Sequence, residues 1–156
     1  MSATPNLNAA LAGALRIIGT TPGYEDVARD LTELYGSDRI RFDAALEDRA
    51  HAGLLGAITL GPEATESGPL SLAQTLVHEH FHLRQQNPLQ KTASFWQGVA
   101  SRTEPMQRYE RPAYRAAFDF LEAAKSAHPT LADEAAYEQD AIRQVFESSF
   151  GGTLEE

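Results

Sequence analysis

The chain has no cysteine in its 156 residues. It therefore contains no disulfide framework, no thiolate metal ligand and no thiol nucleophile. Any metal ion would have to be held by histidine and carboxylate side chains, which excludes the zinc-binding classes that depend on cysteine. At this length and composition, the sequence predicts a single domain over residues 1–156 that buries a core without covalent cross-links.

Long apolar segments and an excess of basic side chains are missing as well. No uninterrupted apolar run approaches the roughly 20 residues needed to cross a bilayer. The N-terminal segment has no basic residue ahead of its apolar part, which Arg16 interrupts, so a signal peptide is not expected. We expect a soluble cytoplasmic protein with no membrane partner. The net charge of −9 argues against nucleic acid as a partner, because nucleic-acid-binding surfaces present basic side chains to phosphates.

The most informative stretch is residues 72–86, LAQTLVHEHFHLRQQ, which contains the spacing H-E-x-x-H. In an α-helix His78 and His82 lie about 40° apart and one turn along the axis, so both imidazoles can reach one metal ion. Glu79 projects about 100° to one side, where it can take a proton from a water on the metal. His80 points about 200° away from His78, so we expect it to pack or to support the helix. The spacing predicts two metal ligands and a general base.

The rest of this helix carries a polar stripe. Ser71, Thr75, His78, His82 and Gln85 fall within a sector of about 80°, and most of the remaining surface is apolar. This pattern predicts a helix that is buried on most sides and faces a cleft on one. The alternative is that the histidines form a hydrogen-bonded polar core and bind nothing.

Amphipathic patterns predict further helices on both sides of the motif. They cover residues 5–19, residues 21–36 with Thr21 as the N-cap, residues 106–125, and residues 131–150. A short helix over residues 91–101 would either line the cleft or cover the motif helix. Pro112 fits the first turn of a helix better than its interior, so we expect Glu110 at a junction between two segments. Glu110 lies three residues before Ala113, on the apolar stripe that would face the core. A carboxylate on that face needs an ion partner or a metal.

Two segments between the helices have the pattern of strands. Residues 39–44 alternate between apolar and polar, and residues 52–60 form a short apolar run. We expect them to pair antiparallel, joined through residues 47–50. The second strand would lie at the sheet edge above the metal, where it could bind an extended peptide. The predicted fold class is α+β, a mostly helical single domain with a small antiparallel sheet beside the motif helix.

The motifs resemble those of small zincin metallopeptidases of the gluzincin type, sometimes called minigluzincins. The resemblance rests on residues 78–82 (HEHFH), on Gln85 after them, and on residues 110–113 (ERPA) downstream. The order of helices, strand pair, motif helix and glutamate helix is also similar.

This resemblance implies a zincin-like fold and a peptidase that holds one Zn²⁺ ion. It implies that His78, His82 and Glu110 are the zinc ligands. Glu79 would be the general base for a metal-activated water. The substrate would be a peptide or protein. Should Glu110 not be the third ligand, the other carboxylates to consider are Glu104, Glu138 and Asp140.

Some details depart from related families. Position 85 is Gln and position 88 is Pro, where a metzincin requires Gly and His. Position 114 is Tyr, where the thermolysin type has Asp, so the group that supports a ligating histidine is not identified. Tyr109, Tyr114 and Tyr137 are candidate donors to an oxyanion. Two other functions remain open: a non-catalytic metal-binding regulatory or interaction protein, and an enzyme that hydrolyses a non-peptide amide.

Overall fold

The computed structural model describes residues 3–46, 49–52, 56–85 and 104–154. Most of this part of the chain is helical, and three short strands form a small sheet. The elements in chain order are α1 (Ala3–Gly19), α2 (Glu25–Gly36), β1 (Ile40–Phe42), β2 (Ala50–Ala52), β3 (Ile58–Leu60), α3 (Pro62–Glu66), α4 (Pro69–Gln85), α5 (Glu104–Ala127), a 3-10 turn (Pro129–Leu131) and α6 (Ala132–Phe150).

The predicted helix ends are mostly confirmed. Helices α1 and α2 end at Gly19 and Gly36, and α6 ends at Phe150 before Gly151, whose φ of 73° favours glycine. The predicted N-cap of α2 is wrong, because the helix begins at Glu25. The hydroxyl of Thr21 instead donates a hydrogen bond of 2.7 Å to the carbonyl of Ile17, so it satisfies the last turn of α1.

Helix α5 is continuous from Glu104 to Ala127, with Pro112 inside it. The predicted junction at this proline is therefore wrong. A proline in a helix interior costs about 3 kcal/mol, because it lacks an N–H and crowds the preceding turn. Downstream of the proline, α5 buries Ala113, Ala117, Phe120 and Leu121 completely. We attribute the unbroken helix to this packing, which outweighs the local preference.

The sheet is mixed, so the predicted antiparallel sheet is wrong. Its order is β1-β3-β2: β3 pairs with β1 in parallel and with β2 antiparallel. The predicted strand over residues 52–60 contains both the end of β2 and all of β3. Because β3 is paired on both sides, it cannot be the edge strand that binds a substrate. Apolar alternation shows that a segment is a strand and which face it buries, but not the direction of its neighbour.

Helix α4 lies at the centre of the structure. Leu70, Leu72 and Leu76 are fully buried, and the helix packs against α1, α5 and strand β2. The small sheet therefore lies beside the motif helix, as predicted. One apolar core joins these elements to α2, α3 and α6, with its largest fully buried side chains including Leu11, Ile18, Leu31, Ile58, Leu60, Phe120, Leu121, Phe146 and Leu154.

Two predictions fall outside the described residues, namely the helix over residues 91–101 and the end of the motif helix near Asn87. Within the described ranges, none of the helices has both the length and the apolar character needed to cross a bilayer.

Candidate metal centre

Three side chains predicted as metal ligands come together on α4 and α5. Nε2 of His78 lies 3.1 Å from Oε1 of Glu110, and Nε2 of His82 lies 2.9 Å from the same oxygen. Each residue offers one ligand atom, and the three atoms lie within 4.8 Å of one another. Zinc ligands at bond lengths of 2.0–2.1 Å in a tetrahedron are separated by about 3.3 Å. The group could therefore hold a metal ion after only small movements.

The helices explain why these atoms converge. His78 and His82 are one turn apart on α4, and their rings meet edge to face with centroids 4.9 Å apart. Helix α5 packs against α4 and presents Glu110 opposite both rings. The Glu110 side chain keeps 18% of its surface exposed, whereas His82 keeps 5%. Of the three side chains, Glu110 therefore keeps the most contact with solvent, ahead of His78 at 12%.

The electrostatics of the site favour an ionised Glu110. Burial raises the pKa of this carboxyl group, but hydrogen bonds from His78 and His82 lower it more, and the net pKa lies well below the ordinary 4.5. The carboxylate is therefore charged throughout the neutral range. A charged carboxylate beside two imidazoles is the donor set that suits zinc and related transition metals.

Aromatic side chains form a wall behind His78. The ring of Tyr114 meets the imidazole edge to face, with centroids 4.4 Å apart. Tyr114 in turn contacts Phe146 and Phe150 at the end of α6, at 5.7 Å and 6.2 Å between centroids. A packed aromatic ring therefore lies against the imidazole of His78. The sequence signal for Tyr114 is its spacing of four residues from Glu110, which places the two side chains on one face of α5.

Glu79 is buried beside the ligand group. The residue is 8% exposed, and within the described part of the chain its carboxylate has neither a hydrogen-bond donor nor a cationic partner. Glu79 is thus a buried acidic side chain that the described fold does not use for a hydrogen bond or an ion pair, which makes it a candidate for a chemical role.

The polar stripe of α4 is only partly open. Its first two members, Ser71 and Thr75, are buried and accept hydrogen bonds from Arg49, which directly precedes β2. The stripe therefore divides into an arginine-bound half and the half that carries His78 and His82. No sequence pattern marks Arg49 as a partner of this helix, because 26 residues separate it from Thr75.

The other candidates are not part of the ligand group. Asp140 is exposed on α6, Tyr137 is 72% exposed, and Glu138 accepts a bond of 3.5 Å from Gln74. The side chains of Glu104 and Tyr109 lie outside the described residues. Among the described residues, the group of His, Asp and Glu side chains that could hold an ion consists of His78, His82 and Glu110.

His80 lies on the other side of α4, as predicted. Its Nε2 lies 2.9 Å from Oδ2 of Asp30 on α2, and Arg84 donates to the same oxygen at 2.7 Å. The hydrogen bond from His80 lowers the pKa of Asp30 below its ordinary 3.8, burial opposes this, and Arg84 lowers the pKa further. These contacts join α2 to the face of α4 that points away from His78.

We expect Asp30→Asn to reduce the free energy of unfolding by about 1 kcal/mol at pH 7, a modest value because solvent screens this partly exposed pair. Since folding depresses the pKa of Asp30, its contribution is present above the unfolded pKa and is lost as pH falls through the folded one. The difference between wild type and variant should therefore shrink below pH 3.8.

Urea unfolding across this pH range measures the difference. Asp26→Asn is the matched control, because the ion pair of Asp26 with Arg29 is largely exposed and should contribute almost nothing. A difference for Asp30→Asn that stays constant down to pH 2 would contradict the assignment.

The sequence matches no protein-family model, and it matches neither a curated protein nor a solved structure. Inference about function therefore rests on the chemistry of the site itself.

Proposed function

We propose that this chain is a zinc-dependent peptidase with a zincin-like site, in which His78, His82 and Glu110 hold the metal and Glu79 is the general base. The observation that carries the proposal is Glu79, a buried carboxylate without a described partner, which directly follows His78 in a helix whose His78 and His82 converge with Glu110. A purely structural metal site needs the three ligands but has no use for this fourth group.

Each side chain has a distinct task in this proposal. Zinc, when bound, would supply a Lewis acid that polarises the scissile carbonyl and activates a water. His78, His82 and Glu110 orient the ion, and the ring of Tyr114 holds the imidazole of His78 in place. The carboxylate of Glu79 accepts the proton of the attacking water and delivers it to the nitrogen of the leaving amine.

The sheet offers one strand for an extended substrate beside α4. Strand β2 pairs with β3 on one side, has no second partner among the described strands, and packs against α4. A peptide could add to its outer edge through main-chain hydrogen bonds, which are largely independent of sequence. The substrate-binding strand in this proposal is therefore β2.

Digestion of a diverse peptide library by the zinc-loaded protein tests the proposed function. Mass spectrometry should detect new peptide termini that disappear when a chelator removes the metal and return when zinc is added back. His82→Ala, prepared in the same way, is the control for a contaminating protease.

The other outcomes of the library digest are also informative. A zinc-replete wild type that cleaves no peptide or protein, including its own chain, would contradict the proposal and favour a non-catalytic metal-binding protein. Cleavage of small non-peptide amides alone would keep the hydrolytic site but change the substrate class.

A further inference from the structure

Arg49 connects the start of β2 to the motif helix through an unusually complete set of hydrogen bonds. Its Nε donates to the hydroxyl of Thr75 at 3.2 Å, and one terminal nitrogen donates to the hydroxyls of Ser67 at 3.1 Å and Ser71 at 2.6 Å. The other terminal nitrogen lies 3.4 Å from the carboxylate of Glu63. The planar guanidinium thereby contacts α3, α4 and Ser67 between them at the same time.

The position of these contacts relates them to the metal centre. Ser71 and Thr75 lie on the same polar stripe as His78, and Thr75 precedes His78 by about 4.5 Å of helix rise. The main-chain carbonyl of Arg49 also accepts a hydrogen bond of 2.8 Å from the N–H of Gly61, just after β3. One residue is therefore fixed to the sheet by its backbone and to the motif helix by its side chain.

Strand β2 depends on contacts outside its own strand pairing, such as those of Arg49. It has three residues and pairs with β3 alone among the described strands. A strand this short, with one neighbour, is held weakly by its ladder. Without a lateral contact, its outer edge could shift relative to α4 and to the ligand atoms that α4 carries.

We propose that Arg49 is a positioning residue that fixes the outer edge of β2 beside α4, and so sets how strongly an extended peptide binds along that edge. This inference rests on the proposed function. Arg49 itself touches neither the substrate nor the reacting atoms, and it acts through β2.

The test compares the kinetics of zinc-loaded variants on a peptide that the wild type cleaves. Arg49→Met should raise KM by about tenfold with kcat changed by less than about threefold, because a less firmly held β2 edge binds the peptide more weakly in the ground state and in the transition state alike. Zinc affinity should be unchanged, since none of the ligand atoms is altered. Arg49→Lys should recover part of the loss, because an ammonium group can reach some of the hydroxyls but cannot replace the planar fork.

Two further variants distinguish positioning from a general loss of structure. Arg41 lies on β1 at the opposite edge and donates one hydrogen bond of 3.0 Å to the carbonyl of Asp38, so Arg41→Met should leave KM unchanged. Ser71→Ala should raise KM in the wild type but have little further effect in Arg49→Met, because the two residues act as a unit. Additive effects of the two changes would contradict the mechanism.

Amide hydrogen exchange gives a readout that does not depend on catalysis. In Arg49→Met, the amides of Ala50–Ala52 should exchange faster than in the wild type, while those in the middle of α4 keep their protection. If the wild type cleaves no peptide, the proposed function fails, and unchanged exchange in β2 would then show separately that Arg49 does not position the strand. An unchanged KM in a folded Arg49→Met would overturn the inference directly. Should Arg49→Met fail to fold, Ser71→Ala carries the same comparison with a smaller change.

Discussion

On the proposed mechanism, Glu79→Gln is expected to bind zinc as the wild type does and to lose most of the peptidase activity. The amide has the size and shape of the carboxylate but cannot accept the proton of the attacking water. General-base catalysis is typically worth about 100-fold to 10,000-fold, or roughly 3 to 5 kcal/mol of barrier. The loss should appear mainly in kcat, because the ligand atoms and β2 are unaltered.

Glu33→Gln is the matched control for this substitution. It makes the same chemical change on an exposed face of α2 and should behave as the wild type. Metal content must be measured in both variants, so that loss of zinc is not mistaken for loss of the base. Cleavage that continues unchanged in a zinc-replete Glu79→Gln would place the chemistry at another site and refute the assigned role.

Removing a ligand should have the second large effect, this time on metal binding. His82→Ala removes a buried imidazole that lies 2.9 Å from the shared carboxylate oxygen. We expect zinc affinity to fall by more than about 100-fold, because even residues that only support a ligand are worth about 10-fold to 100-fold. Glu110→Gln should weaken binding as well, since it replaces a charged donor with a neutral amide.

Thermal unfolding with and without zinc provides a simple measurement. Zinc at 100 times its dissociation constant should stabilise the wild type by about 2.7 kcal/mol, and His82→Ala should show almost none of this effect at the same concentration. His80→Gln is the matched control, because His80 is on the same helix but bonds to Asp30 on the opposite side. Equal losses for His80→Gln and His82→Ala would argue against the proposed ligand set.

Much of the site could be predicted from local spacing. The separation of His78 and His82 by four residues fixes their common face once α4 forms, and the structure confirms that they can share an ion. Glu110 could be nominated because it is a carboxylate on the inward face of an amphipathic helix. Its contact with both imidazoles depends on how α5 packs against α4, which local pattern does not contain. The catalytic role of Glu79 stays a prediction.

The features that could not be predicted are those that depend on distant partners. The direction of β1 relative to β3 follows from the path of the chain between them, and apolar alternation does not encode that path. Thr21 has the side chain of an N-cap, yet its hydroxyl bonds to the carbonyl of Ile17. Arg49 shows no pattern at all in the sequence. It gains its role only because the fold brings the hydroxyls of α4 beside the start of β2.

The most direct test of this account is anomalous diffraction from crystals of the full chain grown with zinc. We predict a strong peak bonded to Nε2 of His78, Nε2 of His82 and Oε1 of Glu110, with distances of about 2.0–2.2 Å. An empty position there at saturating zinc, with the two imidazoles still hydrogen-bonded to the carboxylate, would contradict the account and show that these residues form a closed polar cluster.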